Sequence, residues 1–352
     1  MKTNTQAIHA GRRTLSMPVR YLINSVLIAL LIIASFLVSR LELVSSYYIG
    51  VLVLVGINII MAVSLNVATG YLGQLPLGHA GFMAVGGYTG GIFLKAVNIS
   101  DTSGVVYVLL LIVALVLSGI MAGIFGIIIG VPALRLRGDY LAIITLGFGE
   151  IIRVILNNID SVLGFSLTYG ASGLKRIPAV ATLPVVTVCV VLVCLLIHMV
   201  LKSRHGRAVL AIRENEIAAE ACGIPTTYYK TMAFVLSAFC AGIAGCLYAG
   251  YLRTLVPNTF DFMKSIEFLI MVVLGGMGSM LGSILSASVL TILPEALRQF
   301  ADFRMVAYSI VLIVVMIFRA KGLLGTYDFS LSRLLEKAMN MGRGKEKEGK
   351  TK

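Results

Sequence analysis

Long runs without charge constrain this chain more than any other feature of its sequence. Residues 43–94 contain no Asp, Glu, Lys or Arg, and residues 102–134 contain none either. Three further runs, residues 177–201, 231–252 and 268–294, are also uncharged. A membrane-spanning helix needs about 20 predominantly apolar residues. The sequence therefore predicts an all-α membrane protein that crosses the bilayer many times.

The composition excludes a soluble enzyme. Only 13% of the residues are charged and 58% are hydrophobic, whereas a soluble domain carries about 25% charged residues. The net charge of +13 fits basic loops on the cytoplasmic side of a membrane better than nucleic-acid binding. The five cysteines form no C-x-x-C pair, which indicates packing rather than disulfide or metal-binding roles.

The apolar pattern predicts a polytopic helical bundle with about ten spanning or partly spanning helices. The first run follows two arginines but lacks a cleavage site, so it is interpreted as a retained helix and not a signal peptide. The third and eighth spans are rich in glycine, and we expect them to be broken or re-entrant. The spans are predicted at residues 19–39, 47–69, 76–94, 106–130, 140–157, 181–201, 229–251, 266–279, 282–297 and 304–320.

The basic residues predict the orientation of this bundle. Most of the 29 Lys and Arg residues fall on one side if both termini are cytoplasmic, which favours an N-in, C-in topology. The sequence then divides into a cytoplasmic N-terminal segment (1–18), a transmembrane domain (19–325) and a cytoplasmic basic tail (326–352). Residues 202–230 form a large cytoplasmic loop within the transmembrane domain.

Polar residues interrupt the apolar stretch at residues 66–91, where Gly, Gln, Pro and His lie close together. Non-helical backbone at membrane depth persists only when it is buried in protein or lines a wet cavity. One interpretation is a broken helix that lines a substrate path, with Asn66, Gln74, His79 and Tyr88 as lining candidates. The other is a cytoplasmic turn between two ordinary helices, and the sequence leaves both open.

Glu150 and Arg153 are three residues apart in the fifth predicted span, so they share a helix face and can pair. Buried charges in a membrane usually face the bundle interior and often have a function. A structural pair near the outer interface is the preferred interpretation. Glu150 is also a candidate for the translocation path, and in a rival ion-coupled transporter it would be the proton or Na⁺ site.

Two glycine-rich segments resemble nucleotide-binding motifs but do not fit them. Residues 344–351 match G-x-x-x-x-G-K-[ST], yet only Lys352 follows, so no helix can present its N-terminus to a phosphate. The sequence therefore predicts no ATPase site in this chain. Residues 275–283 are interpreted as a tight hairpin between two helices, with Gly278 and Gly282 allowing close packing.

The loop at residues 202–230 is predicted to dock a partner protein. Residues 214–222 are rich in Ala and Glu and are predicted to form a helix that ends at Gly223 and Pro225. A short helix on a cytoplasmic loop can lie in a groove of a partner. The alternative is a helix on lipid headgroups, which its small alanine-rich face would grip weakly.

This loop resembles the coupling segment of bacterial ABC importer permeases, and the LivM-type branched-chain amino-acid permease family is the best match. Ile217-Ala218-Ala219 and Gly223 keep the spacing of the E-A-A-x-x-x-G motif, with Ile in place of Glu. The segment 70–90 resembles the G-x-x-G-Q-x-x-x-G-H-A-x-F signature of the family. The resemblance implies that the following residues contact an ATPase: Arg213, Glu214, Glu216, Ala218, Ala219, Glu220 and Gly223.

The resemblance also implies a function and a set of partners. We expect a permease of the bacterial cytoplasmic membrane that imports branched-chain amino acids by alternating access. A related second permease, two cytoplasmic ATPases that use ATP and Mg²⁺, and an extracytoplasmic binding protein are the expected partners, with no cofactor on this chain. Urea, amide or sugar permeases of the same superfamily, and an ion-coupled secondary transporter, are the alternatives.

Overall fold

The protein is a bundle of α-helices in the computed structural model, which describes residues 17–41, 45–99, 104–136, 138–164, 168–299, 309–310 and 313. A two-residue antiparallel pair, β1 (Leu174–Lys175) with β2 (Thr254–Leu255), ties two loops together. The helices are α1 (Met17–Arg40), α2 (Ser46–Asn66), α3 (His79–Ala96), α4 (Val105–Ala133), α5 (Asp139–Leu163), α6 (Leu183–Lys202), α7 (Arg204–Glu214), α8 (Glu216–Ala221), α9 (Thr226–Leu252), α10 (Phe262–Gly275) and α11 (Met280–Ala296).

The predicted membrane-spanning character is confirmed. Among the described residues, five helical segments are long and apolar enough to cross a bilayer: 46–71, 105–133, 140–161, 183–202 and 226–252. Helix α11 is a shorter apolar helix of 17 residues. Of the predicted tenth span at 304–320 only residues 309–310 and 313 are described, and of the N-terminal segment only residues 17–18. The basic tail lies outside the described residues, and the total of ten spans stays a prediction.

The contacts between loops define the two ends of the bundle. At one end, called the loop end, residues 203–225 lie beside residues 67–73 and 276–279, and Arg213 touches both of those segments. At the other end, called the sheet end, β1 pairs with β2 and Lys95 lies 4.6 Å from the ring centre of Tyr169. The helices alternate between these ends as the predicted topology requires, while the assignment of the loop end to the cytoplasm stays a prediction.

Two helices begin inside the bundle rather than at its ends. Helix α2 continues as a π-helical turn, Val67–Tyr71, and residues 72–78 then run inward without helical structure. A Cβ on Gly149 would lie 3.2 Å from Gly78 Cα. Gly149 is ten residues into α5, which is about 15 Å along that helix. Helix α3 therefore starts near mid-membrane, and the predicted break in the third span is confirmed.

Helix α10 has the same character. It contains 14 residues, about 21 Å, and cannot cross a hydrocarbon core of about 30 Å. Its C-terminal Gly275 is at the loop end, and in its first turn the Ser265 hydroxyl accepts a hydrogen bond from the Ala80 amide of α3 at 3.1 Å. The preceding turn, Pro257–Phe260, reaches inward from the sheet end. The eighth span is thus broken as predicted.

Helix α9 occupies the centre of the bundle and packs against α2, α3 and α4. Small residues bring these helices together, as is common between membrane helices. A Cβ on Gly86 of α3 would lie 2.6 Å from the carbonyl carbon of Gly242 of α9. A Cβ on Gly242 would in turn lie 2.6 Å from the Ala122 methyl group of α4. The core is therefore packed backbone against backbone at this crossing.

The hairpin predicted at residues 275–283 is confirmed, but the predicted packing pair is wrong. Gly275 and Gly282, at the facing ends of α10 and α11, are the glycines in closest approach. Gly278 instead lies in the turn itself, with a positive φ of 84°. A spacing of four places residues on one face only within a helix, and here the helix begins at Met280.

We expect Gly86→Ala to lower the stability of the detergent-purified protein by about 1–3 kcal/mol, because the added methyl group meets backbone that cannot move aside. Gly147→Ala is the matched control, since its Cβ would have no other heavy atom within 4 Å. The measurement is the free energy of unfolding from denaturant titration, followed by circular dichroism. Equal stability of the two variants would contradict the close crossing.

Candidate functional site

The predicted docking loop folds as two short helices, α7 and α8, and not as one helix over residues 214–222. Asn215 separates them with an extended backbone, φ −159° and ψ 107°. Its side-chain oxygen accepts a hydrogen bond from the Ala218 amide at 3.0 Å and so caps α8. Asparagine favours this N-cap position, which explains why the helix starts at Glu216 and not at Glu214.

The predicted end of α8 at Gly223 is confirmed. Gly223 has a positive φ of 81°, a left-handed conformation that glycine adopts without steric cost. The Ile224 amide donates to the Ala219 carbonyl at 3.1 Å, and the Gly223 amide donates to the Glu220 carbonyl at 2.9 Å. These bonds satisfy carbonyl groups at the helix end and fix the exit of the chain toward α9.

One face of α8 is exposed and carries several small residues. Ile217 is 71% exposed, and Ala218, Glu220 and Gly223 are also exposed, whereas Ala219 is buried against the protein. Glu214 and Arg213 lie on α7 beside this face, and the Glu214 side chain is well exposed. The face combines an exposed apolar side chain with carboxylates and is open to a partner.

The two carboxylates of α8 have different surroundings. Glu216 Oε1 lies 2.6 Å from Lys230 Nζ of α9, and the Lys230 side chain is only 5% exposed. This pair fixes α8 to the central helix of the bundle. Glu220 instead points outward, so it is the carboxylate of α8 that a partner can reach.

Arg213 connects this loop to the broken helices. Its Nη1 donates to the Gly70 carbonyl in the π-helical turn at 2.7 Å. A Cβ on Gly73 would lie 3.1 Å from Arg213 Cγ, and a Cβ on Gly278 would lie 2.9 Å from Arg213 Nη1. The guanidinium group therefore contacts both the end of α2 and the α10–α11 hairpin. π-Helical turns are frequent at functional sites.

Asn66 joins the end of α2 to the α10–α11 hairpin from within the bundle. It is buried, accepts a hydrogen bond from the Gly278 amide at 2.9 Å and donates one to the Ser279 carbonyl at 3.1 Å. Gln74, half-buried on the extended segment, donates its backbone amide to the Ala68 carbonyl at 2.9 Å. Both residues thus hold the junction together, and their place on a translocation path stays a prediction.

His79 and Tyr88 of α3 are buried among neighbouring helices. A hydrogen bond of 2.9 Å joins His79 Nε2 to Ser64 Oγ of α2. The Tyr88 hydroxyl donates to the Leu255 carbonyl at 3.1 Å and holds the inward-running segment against α3. The structure does not bring these two residues together with Asn66 and Gln74 into one polar surface, and their predicted path role is untested.

The predicted pair of Glu150 and Arg153 is present. Arg153 Nε donates to Glu150 Oε2 at 2.7 Å, and Arg153 Nη1 donates to the Asn258 side-chain oxygen at 3.0 Å. About a third of each charged side chain is exposed, 30% for Arg153 and 32% for Glu150. The pair lies 11 and 14 residues after the start of the 25-residue helix α5, and its preferred placement near the outer interface stays a prediction.

Sequence reasoning missed Asn258 and Lys230, which complete these two sites. Asn258 follows Pro257 in a short polar break between two apolar helices, and such a break next to a span too short to cross is a usable signal. From the sequence pattern, Lys230 is expected to be an ordinary charged loop residue, although it directly precedes the apolar run of α9.

The comparisons with known proteins agree with this architecture. The family described as "Branched-chain amino acid transport system / permease component" matches residues 47–320. The high-affinity branched-chain amino acid transport system permease protein LivM of Escherichia coli is 36% identical over 330 residues, covering 85% of this chain and 74% of the relative. The LivM of Salmonella typhimurium gives the same identity and coverage.

More distant relatives extend the comparison. The probable LivM of Methanocaldococcus jannaschii is 29% identical over 255 residues, covering 64% of this chain and 73% of the relative. No solved structure gives a significant match. The family match spans α2 to α11 and therefore includes both broken helices and the docking loop. The chain belongs to the branched-chain amino acid transport system permease family.

Proposed function

We propose that this chain is the membrane-spanning subunit of an ATP-driven importer that carries leucine, isoleucine and valine into the cytoplasm. The 36% identity to two LivM permeases over 85% of the chain supports the substrate class. The fructose import permease of Rhizobium meliloti is 29% identical over only 32% of the chain, so a sugar substrate has less support. The bacterial cytoplasmic membrane is the expected location.

The proposed function requires partner proteins that hydrolyse ATP, complete the path and deliver the amino acid. Two ATPase subunits, which hydrolyse ATP with Mg²⁺, would dock on the loop end and place it in the cytoplasm. A related second permease would complete the path, and an extracytoplasmic binding protein would deliver the amino acid at the sheet end. The exposed face of α8 around Ile217 and Glu220 supports ATPase docking, because this face is open to a partner.

One contact carries the mechanism: the hydrogen bond from Arg213 to the Gly70 carbonyl. It joins the docking loop to α2 and to the α10–α11 hairpin, so a displacement of α8 by the ATPases would pull on the ends of both broken spans. Helices transmit such displacements as rigid elements. Alternating access would then be a tilt of these elements against α9, driven by ATP binding and release in the partners.

An ion-coupled carrier has less support. Such a carrier needs an intramembrane carboxylate that binds and releases a proton or Na⁺. The candidate that the sequence offered, Glu150, is paired with Arg153, so its carboxylate already has a cationic partner within the chain. Uptake by the chain alone in vesicles with an ion gradient, without ATPase subunits, would contradict the importer assignment.

We expect Arg213→Gln to uncouple transport from ATP hydrolysis. The neutral side chain loses the charge-assisted bond to Gly70, so leucine taken up per ATP hydrolysed should fall at least about tenfold, in the range of coupling free energies. Assembly with the ATPases should remain. Arg207→Gln is the matched control on α7, because Arg207 donates to the Lys202 carbonyl at the exposed surface. An unchanged ratio of uptake to hydrolysis in Arg213→Gln would overturn this role.

We expect substitutions of the two carboxylates of α8 to have different effects on ATPase binding and on stability. Glu220→Ala is expected to weaken co-purification of the ATPases while leaving stability within about 0.5 kcal/mol, as for other surface substitutions. Glu216→Ala leaves Lys230 buried without its partner and should cost about 1–3 kcal/mol of stability. Pull-down and denaturant unfolding on both variants measure the two effects. Normal ATPase binding by Glu220→Ala would contradict the assigned docking face.

A further inference from the structure

We propose that the amino acid contacts this chain at mid-membrane, where α3, α5 and α10 meet, with Arg153 receiving its carboxylate and Glu150 its ammonium group. The inference rests on the proposed import function and deepens it. It assigns the substrate contact to α5 and the turn before α10, whereas sequence reasoning centred the path on the polar residues of α2 and α3.

The exposure of the ion pair is the first argument. Glu150 lies near the middle of the 25-residue helix α5, and a third of its side chain and of the Arg153 side chain is uncovered by this chain. Charged side chains at the bilayer centre face a protein interior or a water-filled cavity, because contact with lipid costs several kcal/mol. The uncovered side of the pair therefore faces water in a path that the second permease closes.

The amphipathic character of α5 separates this side from the lipid side. Ile151, Val154 and Ile155 are about half exposed on α5, and all are apolar, as a lipid-facing surface requires. Glu150, Arg153 and Asn157 recur at intervals of three and four residues and share one flank, which adjoins the apolar face at Val154. Asn258, from the turn at 257–260, extends this polar flank beyond the helix. The polar surface is thus a strip at mid-depth and not an isolated pair.

The broken helices add a second attraction for an anionic group. The N-terminal turns of α3 and α10 meet at the Ala80–Ser265 hydrogen bond, and Gly81, Asp261 and Ser265 line the same small cavity as Glu150. Helix N-termini carry partial positive charge. Transporters commonly place such half-helix ends beside the anionic groups of their substrates. The end of α10 is capped by the Asp261 carboxylate, which accepts a hydrogen bond from the Lys264 amide at 2.9 Å, whereas α3 begins without a side-chain cap. The start of α3 is therefore the end that attracts the substrate carboxylate.

The chemistry fits a zwitterion. An amino acid that leaves water must keep both its carboxylate and its ammonium group paired. An Arg–Glu pair supplies one partner of each sign, and the substrate can insert by exchanging one salt bridge for two. In this structure the cavity has room for about one water. The aliphatic side chain would therefore meet its apolar residues only after the cavity widens during transport: Leu77, Leu146, Phe260 and Phe262.

Cysteine labelling tests whether this strip faces water and substrate. Asn258→Cys and Ile155→Cys are made on a Cys222→Ser background, since Cys222 is exposed, and each is reconstituted with both permeases, the ATPases and the binding protein. We expect a charged methanethiosulfonate reagent to modify the Asn258→Cys variant and leucine to slow that reaction about tenfold or more. The Ile155→Cys variant, labelled on the lipid side, should react only with a membrane-soluble maleimide.

Leucine uptake completes the test. Glu150→Gln and Arg153→Gln should each lower uptake at saturating leucine about tenfold while ATP hydrolysis continues, and Arg153→Lys should recover part of it. Loss of uptake, together with protection of the Asn258→Cys thiol by leucine, supports the contact. A thiol in that variant that is unreactive or unprotected, or normal uptake in both charge variants, overturns it. If the unmodified complex takes up no leucine, the proposed function itself fails.

Discussion

Backbone polar groups in a membrane must find their partners within the protein, and this requirement governs the whole bundle. Two inward-running segments, residues 72–78 and 254–261, lack regular α-helical hydrogen bonds at membrane depth. Side chains from neighbouring helices supply the missing partners: Thr145 Oγ1 accepts from the Leu77 amide at 3.0 Å, and Tyr88 donates to the Leu255 carbonyl. With these bonds made, helices can begin inside the membrane without exposing amides to lipid.

The same kind of contact links the two functional regions. Arg213 and Asn66 approach the turn around Gly278 from opposite directions, one from the docking loop and one from the core. This turn directly follows the C-terminal end of α10, and the N-terminal end of α10 lies beside Glu150. A path of covalent backbone and short hydrogen bonds therefore runs from the loop end to mid-membrane. Under the proposed function, this contiguous connection would link ATPase docking at the loop to the proposed substrate contact.

The sequence was sufficient wherever the determining interactions are local. Uncharged runs located the described spans to within a helix turn or two, and the glycine-rich composition identified both broken helices. Gly223 marked a helix end because its conformation is set by its own backbone. Partners distant in sequence were not predictable: Lys230 of α9 meets Glu216 of α8 across 14 residues, and Asn258 meets Arg153 across 105 residues. The alanine-rich neighbours of Asn215 predict a continuous helix and hide its capping tendency.

The pairing of Glu150 with Arg153 has an electrical consequence. A single charge that moves across a membrane exchanges about 2.3 kcal/mol per 100 mV with the transmembrane voltage. Here opposite charges lie 2.6 Å apart on the same helix, so their contributions cancel when the helix moves. A zwitterionic amino acid also carries no net charge. The pair and its cargo would therefore add no voltage dependence of their own to a movement of α5.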